Sequence, residues 1–71
     1  MSLYQMKNNS KCIIESLPHV PLMDSLGFRM GSAVEVQTRQ PMGGPVVVRL
    51  GNRSVAVARE YAEQMTVREV L

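Results

Sequence analysis

Chemistry in this chain has few places to start. There is one cysteine, Cys12, and one histidine, His19. A Cys12–His19 dyad would need a third group to orient the imidazole, and none is evident. His19 lies between Pro18 and Pro21, with Asp24 near in sequence. It reads as an exposed loop histidine rather than a base or ligand. The carboxylates do not pair for acid–base work: Glu15 and Glu35 fall on strand positions facing water, and Glu60, Glu63 and Glu69 are ordinary polar-face residues. Gly43-Gly44 is followed by a proline and a strand, whereas a phosphate loop needs a helix there and usually a lysine, so the pair reads as a hairpin turn. The expectation is a protein that is not an enzyme, with no metal site and no cofactor.

Six methionines are the other soft chemistry available. A thioether site for copper(I) needs clustered ligands, and these are scattered along the chain. Met23 and Met65 fit helix faces and fill core gaps, while Met30 and Met42 fall in turns, where an exposed thioether suits a partner surface. The charges point the same way without deciding it. Net charge is only +2, too even to imply nucleic acid by itself. Both lysines, Lys7 and Lys11, lie near the start, and every cation after Gly27 is an arginine: Arg29, Arg39, Arg49, Arg53, Arg59 and Arg68. Guanidiniums are rigid forks for carboxylates, phosphates and protein interfaces, although surface charges are more often simply solvated. Base stacking needs exposed aromatics, and beside Tyr4 and Tyr61 there is only Phe28, a core candidate.

These residues must be carried by short elements. Seventy-one residues make one domain, burying only about 60% of the unfolded surface. A single cysteine provides no internal disulfide and fits a reducing cytosol. No apolar run reaches the roughly 18 residues of a membrane span, and the start lacks the apolar core of a signal peptide, so a cytoplasmic location without membrane insertion is expected. Residues 1–10 are polar, with a turn at Asn8-Asn9-Ser10, and read as a partly mobile extension before a domain over 11–71. Lys11–Ser16 is the first strand, with Cys12 and Ile14 on one face. Pro21–Leu26 is a short helix with Leu22 and Leu26 on one face and Met23 beside them, ended by Gly27. Phe28 plugs the core. Val34, Val36 and Thr38 alternate with Glu35, Gln37 and Arg39; Pro41–Pro45 reverses the chain; Val46, Val48 and Leu50 return; and Gly51-Asn52 leads to Val55–Val57. Ala58–Met65 reads as a helix, with Ala58, Ala62 and Met65 as its apolar stripe, and Thr66–Leu71 as a closing strand. The fold class is therefore all-β: an SH3-like five-stranded barrel with one or two short helices, whose closure removes open edges.

Three segments resemble a known family. Leu26-Gly27-Phe28-Arg29-Met30-Gly31 is similar to its LGxxPG turn, Pro41-Met42-Gly43-Gly44-Pro45 to its P-[FL]-G-[DG]-P hairpin, and Val55 to Val67 to its IALRREEAEKIEV ending. Together they resemble FeoA, the ferrous iron transport protein A, over about Cys12 to Val67. Met30 stands where the family has proline, leaving that turn less rigid, and Val57-Ala58 replaces the usual Leu-Arg. The resemblance implies a cytoplasmic, regulatory accessory of iron uptake whose partner is a FeoB-like membrane transporter. Arg29, Met30, Arg39, Met42 and Arg49 are the residues expected to meet it, and a homo-oligomer is compatible. The same barrel occurs as the C-terminal domain of DtxR-type metal-dependent repressors; a chain of this length, with no DNA-binding helices, favours the transporter partner. A nucleic-acid-binding barrel remains the rival, and it predicts affinity falling steeply with salt. A direct iron carrier lacks a ligand set.

Overall fold

The computed structural model describes residues 1–40 and 42–70. Its β-branched runs form five strands: β1 (Lys11–Ser16), β2 (Ala33–Arg39), β3 (Val46–Leu50), β4 (Arg53–Val57) and β5 (Thr66–Val70). They make one sheet of order β4-β3-β2-β1-β5, with every neighbouring pair antiparallel. The two outermost strands both feed the same interior, Val55 and Val57 from β4 and Val67 from β5, around a fully buried Phe28. The five strands thus wrap a single core. Pro41 of the hairpin and Leu71 of the closing strand lie outside the described residues.

Two irregularities set which side chains face in. β2 carries an extra residue between Val36, opposite Val48, and Thr38, opposite Val47. Strand parity changes across such a bulge. Thr38 is therefore exposed instead of following Val34 and Val36 inward, and Arg39 comes to lie opposite the buried Val46. A second bulge on β1, between Ile14 and Ser16, adjusts its pairing to β5.

The helices are shorter or differently phased than the sequence predicts. α1 (Pro21–Leu26) has Pro21 in its first turn, where no donor is missed, and Gly27 ends it in the left-handed conformation with φ 90. Met23 is its buried residue and Leu26 is partly buried, but Leu22 is 39% exposed. Six residues hold too few turns for spacing alone to phase the stripe; the Phe28 N–H to Met23 carbonyl bond at 3.0 Å ties Met23 to the core plug. α2 spans only Arg59–Ala62. Ala62 and Met65 are buried, while Ala58 is an exposed N-cap.

Residues 1–10 differ most from expectation. Leu3 is 0% exposed and Met6 is buried, both inside the main core. Leu3 sits in a single 3-10 turn (Leu3–Gln5), held by the Ser2 N–H to Gln5 Oε1 bond at 2.9 Å. Backbone bonds lash the segment to β5 and the residue before it, Leu3 N–H to the Met65 carbonyl and Val67 N–H to the Met1 carbonyl, each at 2.8 Å. Further along, Asn9 N–H donates to the Val36 carbonyl at 2.6 Å and Val36 N–H to the Ser10 carbonyl at 2.8 Å. The packing unit therefore includes the first ten residues.

Candidate partner-docking surface

The side chains with reactive potential are kept apart. Cys12 is buried, and burial pushes its thiol above the ordinary 9.0, with Glu69 across the β1–β5 pairing adding to the rise. A thiol so placed is held protonated and out of reach, unlike a nucleophile beside a cation. Glu15 pairs with Arg68 at 3.6 Å on the surface. His19 lies on an open depression of about 730 Å³ together with Pro18, Val20, Met23, Asp24 and Met30. Among the described residues, no three His, Cys, Asp or Glu side chains gather in a way that could hold a metal ion. No helix there is long and apolar enough to cross a membrane.

The five residues expected to meet a partner divide among three places. Arg29 and Met30 occupy the turn before β2, where Gly31 takes φ 89 and donates to the Ile14 carbonyl at 2.8 Å; Met30 is 69% exposed on the rim of the depression. Arg49 sits opposite Glu35 on β3, its Nε–H donating to the Gly51 carbonyl at 3.2 Å. Arg39 and Met42 lie at the other end of the β2–β3 ladder. Arg39 lies four positions along β2 from Glu35, which is roughly 13 Å at the usual rise per residue.

Met42 has unusual geometry. It is fully exposed and has φ 62, followed by Gly43 with φ 85. Two successive positive φ values are what a type I′ turn requires, and Asn-Gly is the usual solution. A methionine here costs about 1 kcal/mol in backbone conformation, and nothing in the fold compensates by burying it.

Beside that hairpin stands a cluster of which sequence reading found only one member, Arg39. The Cζ atoms of Arg39 and Arg59 lie 5.8 and 5.1 Å from the centroid of the Tyr4 ring, within cation–π range. Arg39 Nη1–H donates to the Tyr4 carbonyl at 2.9 Å, and its own backbone N–H is taken by Asn8 Oδ1 at 3.0 Å. Arg59 packs against Gly43 and pairs with Glu63 at 3.4 Å. Tyr4 and Arg59 carried no local signal that joined them to the hairpin. Their meeting depends on the N-terminal segment folding into the domain and on the bulge that turns Arg39.

The FeoA domain family matches residues 1–69. The chain belongs to the FeoA family. It is similar in structure to an iron uptake regulatory protein (FeoA), with a TM-score of 0.88 and 24% identity over 99% of this chain and 96% of that one. It is similar as well to Stenotrophomonas maltophilia FeoA complexed with zinc, called a prokaryotic SH3 domain protein, with a TM-score of 0.79 and 22% identity over 96% and 89%. A manganese-dependent transcriptional repressor matches with a TM-score of 0.89 and 15% identity over 99% of this chain and 41% of that one. A comparison with curated proteins found no match. At these identities the structural likenesses establish the SH3-like fold of this FeoA-family chain, and the all-β expectation holds.

Proposed function

We propose that this FeoA-family chain is a non-enzymatic accessory of ferrous iron uptake that docks on the cytosolic side of a FeoB-type membrane transporter. The observation that carries the reading is Met42, a fully exposed apolar side chain held at positive φ on a hairpin tip. Left-handed backbone at a non-glycine residue is retained where it serves a function more readily than where it serves stability. Met30, 69% exposed on a second turn, extends the contact. The similar FeoA with zinc, named a possible ferrous iron transport activating factor, supports the assignment to transport.

Docking alone changes nothing about a transporter. An accessory shifts the equilibrium between two states only by binding them with different affinity. The likeness to manganese-dependent repressors favours a regulator as the second reading, but the family match over residues 1–69 favours the transporter. The test is co-purification of a FeoB-type transporter with the wild-type chain and with a Met30→Asp, Met42→Asp variant. Loss of recovery in the variant is expected. Equal recovery removes both turns from the interface.

A further inference from the structure

We propose that Tyr4, Arg39 and Arg59, with Met42 beside them, form a clamp for carboxylates on an acidic, partly apolar segment of a protein partner. The inference rests on the reading of the chain as a docking protein and names the chemistry of what it docks. Two guanidiniums lie against one aromatic ring, at 5.1 and 5.8 Å from the same centroid, so both positive charges belong to one surface patch. Two positive charges on one patch attract an anion together more strongly than either does alone. Each guanidinium carries five N–H donors. Among the described residues Arg39 commits one of them to the Tyr4 carbonyl, and Arg59 directs its Nε to Glu63.

The scaffold holds these forks in place. Arg39 is fixed through the Tyr4 carbonyl and Asn8, and Arg59 lies against Gly43 of the hairpin. Planar forks held in this way donate in pairs to carboxylate oxygens. Lys7 on the same N-terminal segment adds charge, while Glu60 on α2 and Glu63 just after it bring carboxylates of their own. That mixture disfavours a polyphosphate, which requires a continuous basic track. The Tyr4 ring is half-buried and faced by guanidiniums, so it offers no open platform for base stacking. The exposed Met42 side chain at the adjacent tip supplies an apolar contact, which suits a peptide in which acidic and apolar residues alternate.

The test uses the full chain and needs no transporter. Isotope-labelled protein is titrated with a synthetic peptide of alternating Glu and Leu, with the same peptide carrying Lys for Glu, and with a short thymidine oligonucleotide, while amide shifts are followed. The Glu-Leu peptide is expected to shift Tyr4, Arg39, Met42 and Arg59, with little effect at Arg49 and Arg68. Binding should weaken as salt is raised. Arg39→Gln with Arg59→Gln should lower the affinity by roughly tenfold, as for two exposed ion pairs. Shifts spread evenly over all arginines, binding unchanged by the double substitution, or tighter binding of the oligonucleotide each overturn the clamp. If the double variant fails to fold, the shift map of the wild-type chain decides by itself. Capture of the transporter with no peptide shift rejects this clamp and leaves the docking reading standing; peptide shifts without capture reject the transporter and leave the clamp.

Discussion

Leu3→Ala asks whether the first ten residues are part of the domain. Leu3 is 0% exposed in the main core, and its N–H donates to the Met65 carbonyl at 2.8 Å. Truncating a buried leucine to alanine costs about 2–5 kcal/mol, from lost transfer energy plus the cavity left behind. A domain of this size has roughly 4–10 kcal/mol of total stability. A loss near 3 kcal/mol would lower Tm by roughly 12–24 °C. The chain has no tryptophan, so far-UV circular dichroism during thermal and urea melts is the suitable readout. Lys7→Ala, on the same segment but exposed, is the control and should stay within about 0.5 kcal/mol of wild type. If Leu3→Ala melts with the control, the segment contributes nothing to the core, and the route by which Tyr4 reaches Arg39 and Arg59 loses its support.

Three other outcomes follow from single residues. Met42→Asn suits two successive positive φ values better, so the variant should gain about 0.5–1 kcal/mol in a urea melt while capturing less transporter; loss of stability would mean that the turn is not strained. Gly27→Ala forces a Cβ into a residue at φ 90 and into the guanidinium of Arg53, which donates to the Leu26 carbonyl. It should cost about 1–2 kcal/mol, and Arg53→Ala should cost less in that background than alone; strict additivity would show that the two groups do not touch. The Cys12 thiol is raised from 9.0 by burial, so the folded state favours the protonated form. That contribution is fully present below the unfolded value and is lost as pH rises through the folded one. Urea midpoints should therefore fall more steeply above pH 9.0 in wild type than in Cys12→Ala, and a thiol reagent should react with Cys12 only on unfolding. Equal reaction of native and unfolded chains would contradict its burial.

What the sequence by itself determined was local and periodic. The alternation of Cys12 with Ile13 and Ile14, of Val46 with Val47 and Val48, and of Val55 with Ala56 and Val57 put the right side chains inside, because a strand has a period of two and a buried face repels charge. Gly27 after an apolar helix end, and prolines around glycines in the hairpin, marked reversals through their backbone limits. Met30 and Met42 were legible as turn residues, and the structure leaves both exposed because those turns have little to bury them.

Tertiary structure decided what depended on parity and on distant partners. A single extra residue between Val36 and Thr38 moved Thr38 outward and set Arg39 opposite Val46, and no composition signal marks where a ladder slips. Leu3 and Met6 look like isolated apolar residues in a polar tail, yet they are buried in a segment that the Leu3–Met65 and Met1–Val67 backbone bonds tie to residues more than sixty positions along the chain. The Tyr4, Arg39 and Arg59 cluster is the product of both effects. Each of its residues is ordinary in sequence, and only the folding of the amino-terminal turn against the bulged strand and α2 brings one ring and two cations together.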